Sequence, residues 1–99
     1  MKKEYFYIRV KKYEEKIVDA ILKVHGYIDT DLKVGYHKGD YGWNATDLDT
    51  GLSITSEQPT RKKCIEMVEL RKNALFEVRG SSYYKDNCKK LIEYLKSKN

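Results

Sequence analysis

The sequence has no apolar run approaching the ~18 residues that cross a bilayer. Its N-terminus, Met1-Lys2-Lys3-Glu4-Tyr5, also lacks the apolar region of a signal peptide. Both absences predict a cytoplasmic protein with no membrane partner. Cysteine is scarce: Cys64 and Cys88 stand without CxxC or CxxH spacing, which argues against a metal site or a disulfide framework. In a reducing compartment both read as small core hydrophobes. No GxxxxGK[ST] is present, so a P-loop is excluded. The two histidines, His25 and His37, have no recognisable nucleophile arrangement around them. Asp47-Leu48-Asp49-Thr50-Gly51 opens like a calcium loop but lacks the later acidic ligands, and a hairpin turn explains it better. Enzyme activity, cofactors and metals are therefore not expected.

What remains is a chain of 99 residues, 40% apolar once its nine tyrosines are counted, and long enough for one domain, 1–99, with a modest core. The net charge of +5 is unevenly spread. Residues 1–12 carry five cations and one carboxylate, and residues 60–99 carry eleven against five, while 13–31 and 32–59 are each net acidic. Basic ends around an acidic middle suit a face for a polyanion or for an acidic protein surface.

Periodicity divides the chain into elements. Phe6, Ile8 and Val10 alternate with Tyr5, Tyr7 and Arg9, the pattern of a half-buried strand over 4–10. From Tyr13 the spacing of Ile17, Ala20, Ile21 and Val24 predicts a helix, with Glu14 and Glu15 in its first turn and His25-Gly26 as its close. Leu32, Val34 and Tyr36 read as a short strand. Trp43 to Leu48 and Leu52 to Thr55 then read as a hairpin whose turn, Asp49-Thr50-Gly51, places glycine where positive φ is needed. Pro59 stops the strand and Thr60 caps a helix. The stripe Cys64, Met67, Val68, Ala74, Leu75, Val78 favours one long helix to Gly80, although Ala74 to Arg79 also alternates as a strand would. Ser81 or Ser82 caps a last helix with Tyr84, Cys88, Leu91, Ile92 and Leu95 inward. The expected architecture is α+β: a three-stranded, mainly antiparallel sheet with three helices, ordered β-α-β-β-α-α. If 74–79 is a strand, the order becomes βαββαβ-α, close to ferredoxin-like.

Three places carry binding chemistry. The helix start Thr60-Arg61-Lys62-Lys63 puts three cations where the macrodipole favours anions, the arrangement either of an exposed first turn that tolerates a small penalty or of a helix awaiting an anion such as phosphate. Lys85 and Lys89 add charge on the last helix. Tyr5, Tyr7 and Arg9 alternate rings and charge along a strand, as single-stranded nucleic-acid binders do to stack bases and hold phosphates. The same pattern suits a strand face covered by the C-terminal helix, with Tyr rings buried and hydroxyls wet. Tyr36, Tyr41 and Trp43 gather near a glycine-rich tip, the composition of a protein-interface hot spot or, equally, of a core anchored by Trp43 with tyrosines around it.

The run from Trp43 to Ile54, followed by Thr60-Arg61-Lys62-Lys63, resembles a hairpin-then-helix unit in small accessory proteins of phages and other mobile elements. The likeness spans residues 43–68. It implies a small non-enzymatic protein that binds host nucleoprotein machinery, anti-CRISPR inhibitors among the class. The reading that follows is a non-catalytic module engaging nucleic acid or a nucleic-acid-handling host complex. The rival is an inhibitor that binds protein through the Tyr/Trp tip and touches no nucleic acid.

Overall fold

The computed structural model describes residues 1–13 and 15–97. Four strands come first, β1 (Lys2–Tyr13), β2 (Ile17–Asp29), β3 (Val34–Lys38) and β4 (Trp43–Asp47). Three helices follow, α1 (Arg61–Leu70), α2 (Lys72–Arg79) and α3 (Ser82–Ser97). The α+β class and the antiparallel sheet agree with the sequence expectation. The sheet has four strands rather than three, in the order β1-β2-β3-β4.

The extra strand is β2, where a helix was expected. Val18, Ala20, Leu22 and Val24 also alternate, and they pair across to Lys12, Val10, Ile8 and Phe6, which completes one apolar face with β1. Ile17, Val18, Ile21 and Val24 are β-branched and favour extended backbone. A short apolar run fits both periods, and here the cross-strand partner decided. Gly26 is therefore not a helix cap. It is buried inside β2, where a methyl group would lie 2.1 Å from the Tyr36 carbonyl oxygen, so only glycine admits β3. Asp29 then forms the turn, its carboxylate accepting from the N–H groups of Asp31 and Leu32.

β4 pairs with β3 from Val34↔Asp47 to Lys38↔Trp43. The return segment meets β4 only at isolated bridges, Thr46↔Ser53 and Trp43↔Gln58, so the expected second hairpin has one regular strand and one irregular one. Gly51 does adopt the expected positive φ, 76°. The sheet rolls until the Arg9 N–H donates to the Gly51 carbonyl at 2.8 Å, joining β1 to the turn after β4.

Rolling gives the sheet an inner and an outer face. Phe6 turns inward over Gly35 and meets His37 edge-on, with ring centroids 6.0 Å apart. Val34, Tyr36 and Ala45 point outward and form the main core with Cys64, Val68 and Leu75 of α1 and α2. The expected single helix over 60–80 is two, because Arg71 leaves helical geometry at φ −103°, ψ 8°. Residues 74–79 are helical, which removes the ferredoxin-like alternative. Ser81 caps α3 by accepting the Tyr84 N–H. Tyr84, Asn87 and Leu91 are its buried residues, whereas Ile92 is exposed. Cys64 is buried, Cys88 is half-buried, and both are free thiols. No described helix is long and apolar enough to cross a membrane.

Candidate nucleic-acid interface

Cross-strand partners in an antiparallel pair share a face. On the outer face of the β1–β2 hairpin the rungs Lys3↔Tyr27, Tyr5↔His25 and Tyr7↔Lys23 lie side by side. The side chains touch. Tyr5 and His25 stack at 4.5 Å between centroids, the Lys23 ammonium sits 5.1 Å from the Tyr5 ring centre, and Lys3 sits 5.9 Å from that of Tyr27. α1 continues the row. Its first residue, Arg61, lays its guanidinium 4.0 Å from the Tyr27 ring centre and 5.9 Å from that of Trp43. Tyr27 and Trp43 are themselves 6.3 Å apart. The result is one surface of alternating rings and cations, running from Tyr7 to Trp43.

Arg61 also accounts for one of the three cations at the helix start. α1 has no acid in its first turn, which costs a few tenths of a kcal/mol per cation. A guanidinium over two rings returns about 0.5–2 kcal/mol, so the stacking offsets the share of the dipole penalty that Arg61 itself carries. Thr60 caps the helix as expected, its hydroxyl accepting the Lys63 N–H at 3.1 Å. Lys62 is exposed, and Lys63 pairs loosely with Glu66 at 3.8 Å. Two of the three cations are thus solvent-facing beside the aromatic row.

Other expected site residues lie elsewhere. Arg9 is held by α3, its guanidinium donating to both the side-chain oxygen and the carbonyl of Asn87, so it fixes the helix against the hairpin rather than facing outward. Tyr36 is fully buried in the core and cannot form part of a protein interface, because the strand alternation that aligns it with Val34 turns both toward α1. Its hydroxyl finds no partner among the described residues, and burial, the largest cause, pushes its pKa upward. Trp43 is half-buried beneath Arg61, and Tyr41 alone of the tip is open, 86% exposed. Lys85 and Lys89 are exposed on α3, with no described contact linking them to the aromatic row.

Sequence reasoning missed Lys23, His25 and Tyr27. Their signal was present as a period of two, polar and aromatic on one face against Leu22, Val24 and Gly26 on the other. Reading the segment as helical scattered these residues around a cylinder.

Two other polar places are distinct from this surface. Inside the roll, a cavity of about 200 Å³ is lined by Ile8, Val10, His37, Asn44, Thr46 and Glu57. Burial lowers the His37 pKa, and its Nδ1 has no partner among the described residues. Behind β4, the buried Asp47 carboxylate accepts from the Thr50 hydroxyl and N–H through one oxygen. Its other oxygen accepts from the Arg79 guanidinium at 2.8 Å and the Tyr84 hydroxyl at 3.0 Å. That network saturates the segment that opens like a calcium loop. No cluster of three or more His, Cys, Asp or Glu suited to a metal occurs among the described residues. Comparison with protein-family models, with curated proteins and with solved structures finds no match for the chain.

Proposed function

We propose that this protein is a non-catalytic module that binds single-stranded nucleic acid on the outer face of its β1–β2 hairpin. Tyr5, Tyr7 and His25 offer rings for stacking, while Lys3, Lys23, Arg61, Lys62 and Lys63 neutralise phosphates. Single-strand binders combine these two elements, because every base has a π-face and every linkage carries a charge. The observation that carries the reading is convergence. The first strand and the basic helix start, far apart in sequence, are joined into one surface by Tyr27 and Trp43. Tyr5 keeps 58% of its surface open, so a base can reach it without unfolding anything.

In this reading the chain serves as an accessory protein of the phage or mobile-element kind, acting on nucleic acid or on a host nucleoprotein complex. The rival surface, a Tyr/Trp tip for protein partners, retains only Tyr41 as an open ring. An acidic protein surface would engage the same cations but would leave the stacked rings without a role.

The test is fluorescence anisotropy with labelled single-stranded RNA and DNA and a duplex control, over a salt series. Single strands should bind more tightly than duplex, and affinity should fall with salt at a log–log slope near −0.7 per phosphate contacted. Tyr5→Ala and Arg61→Ala should each weaken binding. Absence of binding at low salt, or indifference to both substitutions, overturns the reading.

A further inference from the structure

The second edge of β2 is open. β3 pairs only with Tyr27–Asp29 and packs its backbone against Gly26, so residues 17–25 have no paired strand on that side among the described residues. The direction of the free groups follows from the ladder. Arg9, the partner of Ile21, sends its N–H away from β2 to Gly51. Arg9 and Ile21 are therefore a non-hydrogen-bonded pair, and Ile21 turns its own N–H and C=O outward, as do Ile17, Asp19, Lys23 and His25. The Tyr94 hydroxyl of α3 donates to the Ile21 carbonyl at 3.5 Å, the limit of a hydrogen bond, which agrees with that orientation. It marks the one point where, among the described residues, an incoming strand must replace an existing contact.

An open edge of this length is a template for another strand. The side chains indicate which strand fits. About a two-fold axis at Ile21, an antiparallel copy of β2 sets Asp19 opposite Lys23 and Lys23 opposite Asp19. The same register sets Ala20 opposite Leu22 and Val18 opposite Val24, extending the apolar face, and matches Ile21 with itself. Asp19 meets Lys11 through one carboxylate oxygen at 3.4 Å and remains 58% exposed, so its second oxygen can accept a lysine from another chain. Ile17 and Leu22 are 60% and 43% exposed in the single chain.

We propose that the protein associates with a second copy of itself through this edge, β2 pairing antiparallel with β2 about Ile21. The interface is isologous: each chain contributes the same patch, and the Asp19–Lys23 contact occurs twice.

Sedimentation velocity of the full chain over a wide concentration range, without nucleic acid, tests this apart from the binding reading. The mass should rise from 11.7 kDa toward twice that value. Asp19→Lys and Lys23→Asp each place like charges together at two points and should weaken association about tenfold or more. The combined D19K/K23D chain should recover it. A native chain that stays monomeric, single variants that associate like the native chain, or a double variant that does not recover each overturn the proposal. Hydrogen exchange supplies a readout free of substitution. The amides of Asp19, Ile21 and Lys23 should gain protection as concentration rises, and unchanged exchange there also overturns it.

Discussion

The protein holds two clusters of polar and aromatic groups, and they differ in what is left over. Behind β4, Asp47 is 3% exposed and its two oxygens accept from Thr50, Arg79 and Tyr84. Burial and then the Asp47 carboxylate push the Tyr84 pKa upward, which keeps the phenol protonated and donating. On the outer face of the hairpin the rings and cations also touch, yet Lys3, Tyr5, Lys23 and His25 stay exposed, and neither Lys3 nor Lys23 meets a carboxylate among the described residues. A saturated polar cluster in the interior holds elements together, here the β4 turn to α2 and α3. An unsaturated one on the surface keeps its capacity for a ligand. Loss of the first should unfold the protein; loss of the second should leave it folded and without its partner.

The sharpest break is Asp47→Ala, which leaves the Arg79 guanidinium, 17% exposed, with the Lys33 carbonyl but no carboxylate, and the Tyr84 hydroxyl with Asp49 at 3.4 Å. Removing one partner of a buried ion pair costs about 3–5 kcal/mol, so urea midpoints should drop strongly while nucleic-acid affinity per folded molecule stays the same. Tyr5→Ala reverses that pattern: about 1–3 kcal/mol of single-strand affinity lost in anisotropy, with little change in the urea midpoint. His37 tests the inner face of the roll. Burial holds its pKa below the ordinary 6.5, so the unfolded chain takes up a proton before the folded one does. Its contribution is therefore present above pH 6.5 and is lost as pH falls through the lower folded value. Between those limits native stability should fall by up to about 1.4 kcal/mol per pH unit relative to His37→Gln. The smallest effect is Thr60→Ala, which removes the α1 cap and should cost about 1 kcal/mol in urea unfolding. It should also loosen Arg61 on Tyr27, lowering affinity slightly.

Much of this organisation was readable before the fold was known. Alternation over 4–10 identified β1 and the buried Phe6. Thr60 was identified as a cap, Gly51 as a positive-φ turn, and Cys64 and Val68 as the inward stripe of α1. These are local signals, decided by the backbone geometry and side-chain chemistry of a few neighbouring residues. The candidate surface was legible as two fragments, Tyr5/Tyr7 and Arg61 to Lys63. Its link through Lys23, His25 and Tyr27 was not, because Ile17 to Val24 satisfies helical and extended spacing equally.

The sequence by itself determined the α+β class, the helix caps, the basic ends and the residues able to stack or carry charge. Each depends on composition and short-range periodicity. The tertiary structure alone decided that residues 17–29 are a strand, because β1 supplies the partner that completes an apolar face with Phe6, Ile8 and Val10. It also decided that Tyr36 is core while Tyr5 is surface, since which side of a strand meets a helix is set by what packs there. Finally, it brought Arg61 to Tyr27, a contact between residues distant in sequence that only the rolled sheet makes close.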